Sequence, residues 1–220
     1  MSATRVAAWT KTEDGNPVGT VTIAAGSNRK FVVIVQAETT GQPTSNTFTI
    51  GGQTYTESFE DYFDNGAQDC WLYAYIWNEA AIAAMSGSTI SYNITGTQNA
   101  RLWAYAMIQD TNQGVTFKSA TQSSGSDTFN VTTTSSAGDF IVVLSMAPNV
   151  SRDITNMDTL AEIYDVTPGP GTFAAHLGDG NGGDATTTLT GDGTTGIYTA
   201  IGLVFAAAAA GNPHYYYAQQ

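Results

Sequence analysis

CWLYAYIW, residues 70–77, is apolar or aromatic at every position. As a strand it sends Trp71, Tyr73, Tyr75 and Trp77 to one face and Leu72, Ala74 and Ile76 to the other. Both faces then need cover. Three more segments read the same way: FVVIV at 31–35, RLWAYAMI at 101–108 and DFIVVLSM at 139–146. Strands buried on both sides are central strands with a layer against each face.

Around them lie strands that alternate. Ile90, Tyr92 and Ile94 oppose Thr89, Ser91 and Asn93, and Phe129 and Val131 oppose Thr128, Asn130 and Thr132. Gly51–Gly52, Ser124–Gly125, Asn181–Gly183 and Asp192–Gly193 mark turns or bulges between them. The expected class is all-β: an antiparallel β-sandwich, jelly-roll-like, with at most short helices. The one helix candidate is Asn78–Met85, with Asn78 as its cap, too short to stand without packing. The alanine run 206–210 is expected to extend the strand before it.

Composition agrees. Of 220 residues, 42% are hydrophobic and only 12% charged, about half the usual charged share. Seven Lys and Arg stand against 19 Asp and Glu, for a net charge of −12. No concentrated basic surface is available for a nucleic-acid backbone or an anionic membrane, so neither is an expected partner. No Lys or Arg follows Arg152, so the last third carries a negative field. The single cysteine, Cys70, excludes an intrachain disulfide. MSATRVAAWTKTEDG at the N-terminus lacks the apolar run of an export signal, and a soluble protein is expected.

The expected organisation is an N-terminal arm or first strand at 1–17, a single sandwich domain at 18–211 and an aromatic tail at 212–220. GSNRKFVVIVQAE is similar to AGDFIVVLSMAPN, each a polar lead-in followed by a strong strand, and RLWAYAMI is similar to YTAIGLVFA. A diverged internal repeat and two similar strand solutions within one sandwich both stay open.

The succession GSNRKFVVIVQAE, FTIGGQTYT, DCWLYAYIW, GSTISYNITGTQNARLWAYAMIQ, SSAGDFIVVLSM and IYTAIGLVFA resembles a β-sandwich module of phage virion proteins and of bacterial surface or secreted proteins. The likeness covers about residues 26–206 and is weakest between 153 and 196. It implies a β-sandwich and a place in a virion, and it brings no catalytic set.

No phosphate-binding glycine loop, nucleophile elbow or paired-histidine metal motif is present, and His176 and His214 are the only histidines. The expectation is no enzyme. The acidic segment Glu57–Asp64, followed by Asp69, offers paired carboxylates for glycoside hydrolysis or a metal, against the plainer reading of an acidic loop with Phe59 and Phe63 turned inward. Asp179, Asn181 and Asp184, in DGNGGD, form a candidate structural calcium clip, calcium being the only cofactor expected, against a Gly-rich connection. Trp71, Trp77 and Trp103 are candidates for a glycan platform, against core or subunit packing. Tyr215, Tyr216 and Tyr217 are expected at an interface, with another subunit or with the tail's own chain.

Together these point to a structural protein of a phage virion, in capsid decoration or in a surface fibre or spike, made in the host cytoplasm. Expected partners are copies of itself, as a trimer or dimer, and capsid or tail proteins. The alternatives are a glycan-binding adhesin or receptor-binding module, with a cell-surface glycan as partner, and a polysaccharide-degrading enzyme. Self-association is argued from strands apolar on both faces, since one sandwich supplies one cover.

Overall fold

The computed structural model describes residues 1–13, 19–43, 46–64, 69–94, 97–124, 128–147, 154–156, 160–166, 173–183, 186–191 and 197–209. The first half carries β1 (Thr4–Arg5), β2 (Thr10–Glu13), β3 (Lys30–Thr40), β4 (Asn46–Ile50), β5 (Gln53–Thr54), β6 (Glu57–Phe63), β7 (Asp69–Trp77), the helix α1 (Glu79–Ala83), β8 (Ile90–Ile94) and β9 (Thr97–Gln109). The second carries β10 (Phe117–Ser124), β11 (Thr128–Thr132), β12 (Phe140–Ala147), β13 (Ile154–Asn156), β14 (Ala161–Val166), β15 (Ala174–Asn181), β16 (Thr186–Gly191) and β17 (Ile197–Phe205). The protein is all-β, with multiple antiparallel sheets and no long helix among the described residues.

The halves repeat one strand order. The first large sheet runs β1-β9-β3-β7-β6, with β2 also on β9, and the second runs β10-β17-β12-β15-β14. Read pairwise, β2, β9, β3, β7 and β6 answer to β10, β17, β12, β15 and β14. Each half also has a three-stranded ribbon, β5-β4-β8 or β11-β16-β13, in which β4 on β8 answers to β13 on β16. The pairing of β11 with β16 has a rudiment in the first half, a single bridge from Thr20 to Thr89 beside β8. KFVVIV and FIVVLSM occupy equivalent strands, β3 and β12, as do RLWAYAMI and IYTAIGLVF in β9 and β17. Strand β3 pairs with both β7 and β9.

Period-two alternation divides the core. Val32, Ile34, Leu72, Ala74, Ile76, Leu102 and Ala104 from the first large sheet meet Val142, Leu144, Met146, Leu177, Ile201 and Leu203 from the second in one cluster. The opposite face of the first sheet, with Phe31, Val33, Trp71, Tyr73, Tyr75, Trp77, Trp103 and Tyr105, lies under Phe48, Ile50, Ile90 and Ile82 of the ribbon and α1. A third cluster, including Val131, Ile141, Val143 and Val204, backs the second sheet. The expectation that the second face of these strands needs another subunit is therefore corrected: a ribbon and a helix of the same chain cover it.

Helix α1 is shorter than the expected Asn78–Met85. Asn78 caps it, its side chain accepting from the Ala81 N–H at 3.0 Å. Glu79 in the first turn binds Arg29, accepting from the Arg29 backbone N–H at 2.7 Å. Of the alanine run, residues 206–209 lie beyond the end of β17 at Phe205 and outside any helix, with Ala207 bridged to Thr111, and Ala210 lies outside the described residues.

Candidate functional site

The aromatic row is interior. Trp71 and Trp77 are fully buried, and Trp103 is 4% exposed. Rings stack along it: Tyr73 on Tyr75 at 4.3 Å, Trp103 on Tyr105 at 5.7 Å and Phe31 on Tyr105 at 5.4 Å between centroids. Such offset pairs add to the burial of large rings. Two indoles also find acceptors: Trp71 Nε1 donates to Glu60 Oε1 at 2.7 Å and Trp77 Nε1 to the Gln53 carbonyl at 3.0 Å. A sugar platform needs an open ring face, and these rings face the ribbon β5-β4-β8 and α1.

Glu57–Phe63 of the acidic segment forms strand β6, which among the described residues pairs only with β7, whose first residue is Asp69. Phe59 and Phe63 pack on the core between the large sheets, as expected of the plainer reading. The carboxylates divide by parity. Glu57 receives Lys30 Nζ at 2.8 Å and the Thr116 N–H at 2.7 Å, and Asp61 receives the Thr199 hydroxyl from the second large sheet. Glu60, on the opposite face, accepts from Trp71, and Asp69 accepts from the Gly41 N–H at 2.9 Å and the Tyr62 hydroxyl at 2.7 Å. Burial, with the Asp69 bond second, pushes the Tyr62 phenol well above its ordinary value. These acids serve as acceptors that fasten strands.

Asp179 has a partner from the far end of the chain. It is 4% exposed on β15, and its Oδ2 accepts from Trp9 Nε1 and forms an ion pair with Arg5 Nη1, each at 2.8 Å. Burial raises its pKa, which the Trp9 bond and the Arg5 charge only partly offset. Asn181 is exposed at the end of β15, and Asp184 lies outside the described residues. Among the described residues no group of three or more His, Cys, Asp and Glu side chains could hold a metal ion.

His176, on β15, is fully buried, paired in register with Ser145 of β12 on one side and Asp165 of β14 on the other. Ser145 is fully buried too, so neither side chain reaches a surface where a substrate would bind. His214 and Tyr215, Tyr216 and Tyr217 lie outside the described residues.

Sequence reasoning passed over three polar residues that join the large sheets or their connection. Lys30, 1% exposed, donates to Glu57, to the Gly114 carbonyl at 2.6 Å and to Thr116 Oγ1 at 2.8 Å, tying down the segment between the halves. Gln113 in that segment accepts from the Glu79 N–H at 2.8 Å. Gln36, fully buried on β3, donates to the Ser145 carbonyl at 2.7 Å and accepts from the Tyr164 hydroxyl at 2.6 Å. The one signal for Lys30 and Gln36 was a polar residue at an inward position of a strong strand, which a buried partner must satisfy.

No helix among the described residues is long and apolar enough to cross a membrane. Comparison with protein-family models, with curated proteins and with solved structures finds no match to this chain.

Proposed function

We propose that the protein is a structural component of a phage virion, placed on the outside as capsid decoration or as part of a surface fibre or spike. The observation that carries the reading is the doubled strand order. With β10–β17 taken as eight strands, the inner sheet runs first, eighth, third, sixth, and the ribbon runs second, seventh, fourth. That is a jelly-roll succession, with the fifth strand, β14, joined to the inner sheet; the first half follows it with a rudimentary second strand. We read each half as a jelly-roll-like sandwich and the chain as two such units joined through their inner sheets. Eight-stranded jelly rolls serve in viral capsids and in lectins, so the fold alone does not choose between building block and binder.

The side chains favour the building block. The tryptophans that a glycan site would use are interior. The carboxylates that a glycosidase would use are taken up by Lys30, Thr116, Trp71, Thr199 and Tyr62. A chain of −12 charge is suited to an outer surface rather than to contact with packaged nucleic acid. Electron microscopy of purified particles tests the reading, and the expected result is the protein at regular positions on the particle surface. A stable monomer, absent from particles and binding a soluble sugar, would defeat it.

A further inference from the structure

We propose that residues 1–13 form a strap that locks the two large sheets face to face, with the Asp179 carboxylate as its anchor. By backbone pairing the segment belongs to the first sheet, where β1 and β2 both lie on β9. Several of its side chains reach the second, although Lys11 also pairs with Glu13 beside it and Val6 packs on the first sheet's outer face. Arg5 and Trp9 converge on one oxygen of Asp179, at 2.8 Å each, and the Lys11 ammonium stands 5.6 Å from the centroid of the Tyr164 ring. The Ala3 N–H donates to the Gly138 carbonyl, in the lead-in to β12, at 2.8 Å. Ala3 and Trp9 enter the core between the sheets, while all four residues of β2 are exposed. The strap thus holds through a few points and leaves the rest of its length at the surface.

Asp179 makes little sense for the second sheet alone. It sits on the inward face of β15, in line with Ala175 and Leu177, where an aliphatic residue would pack without a desolvation cost. Its hydrogen-bond donor, Trp9, and its ion-pair partner, Arg5, both come from the strap. Burial holds its pKa above the ordinary value even with both in place, so the sheet bears the charge and the strap gains by it. The sheets retain other ties when the strap leaves: the shared apolar layer, Gln36 with Tyr164 and Ser145, and Asp61 with Thr199. The inference goes beyond the virion reading and stands without it.

Limited trypsin digestion of the full chain tests it, because Arg5 and Lys11 put cleavage sites inside the strap. Cutting of a locally opened segment follows the population of the open form. In Asp179→Leu, cleavage after Lys11 should accelerate by about tenfold or more, with the β circular dichroism intact and the melting temperature unchanged or raised. Asp179→Asn, whose amide oxygen still accepts, should fall between. A core residue with no strap to hold would show the opposite pattern, a lower melting temperature with cleavage rising only in proportion to it; that result would overturn the proposal. So would an unchanged Lys11 rate in Asp179→Leu. If that variant fails to fold, Arg5→Met and Trp9→Phe make the test from the strap's side, and unchanged cleavage in both would overturn it.

Discussion

Gln36 shows how much a single inward polar residue can carry. It sits on an apolar strand face and exchanges hydrogen bonds with three strands of the opposite sheet, β12, β14 and β15. Gln36→Ala should cost about 2–4 kcal/mol in urea unfolding, from the cavity and from the Tyr164 hydroxyl left without its acceptor. Tyr164→Phe should cost about 1 kcal/mol, and the double variant less than the sum, the sign of a shared bond. Glu79 should govern part of the acid limb of stability. The Arg29 side-chain bond, with help from the Arg29 N–H and against burial, holds its pKa below the ordinary value. A folded pKa below the unfolded one stabilises fully above the unfolded value, about 4.3, and that contribution is lost as pH falls through the folded value. Urea unfolding from pH 7 to pH 3 should show a shallower acid decline in Glu79→Gln than in the parent. At this scale the sequence was readable where the rule is local. The parity of Trp71, Tyr73, Tyr75 and Trp77 follows from a strand's period of two. The partner of Asp179 was not readable: DGNGGD carries the local signature of a cation loop, and nothing near it says that Arg5, from far along the chain, pairs with the carboxylate. Glu57 waited in the same way on Lys30 and Thr116.

Among the elements, β17 has a feature that its sequence hides. Gly202 lies where a Cβ would stand 2.7 Å from Val131 Cγ1 and 2.8 Å from Thr133 Cγ2. The missing side chain lets β11 and the residues after it close on the second large sheet. Gly202→Val should cost about 1–3 kcal/mol by overpacking and should raise amide exchange in β11 before it does so in β12. A valine there with no loss of stability would mean that the ribbon adjusts freely. The elements themselves were largely visible. Strands β3, β7, β9 and β12 carry long apolar runs, and α1 was expected from its cap, although its helix takes only Glu79–Ala83 of the stretch Asn78–Met85. Their neighbours were harder to read. The likeness of GSNRKFVVIVQAE to AGDFIVVLSMAPN suggested two related strands, and only the pairing order makes them equivalent members of two sheets. Short ribbon strands such as β5 and β13 carry too few residues for periodicity to mark them.

For the molecule as a whole, the shared layer between the large sheets is the decisive feature. Because one apolar layer takes its residues from both large sheets, we expect one cooperative thermal transition, with calorimetric and van't Hoff enthalpies in agreement. Two resolved transitions would show halves that fold independently. Strands apolar on both faces suggest a second subunit, yet here the outer covers come from the same chain, the ribbon and α1 over the first large sheet and a ribbon over the second. Self-association is therefore a proposal that rests on the virion reading and on Tyr215–Tyr217, and light scattering of the chain with and without residues 214–220 across a concentration series tests it. An oligomer for the full chain, weakened by the truncation, is the expected outcome; monomer mass at high micromolar concentration would end the proposal. The repeated strand order has one more consequence, for crowding. Strands β6 and β14 hold the same terminal position in their sheets, so whatever lies at one sheet's margin has a counterpart at the other. Each carries an acid clear of the shared layer, Glu60 on the outer face of β6 and the exposed Glu162 on β14, and β14 is also irregular in register. An unpaired strand invites the margin of a neighbouring molecule to zip onto it, and like charge at both margins repels that approach. Copies crowded together in solution would thus be kept from polymerising through their own sheets.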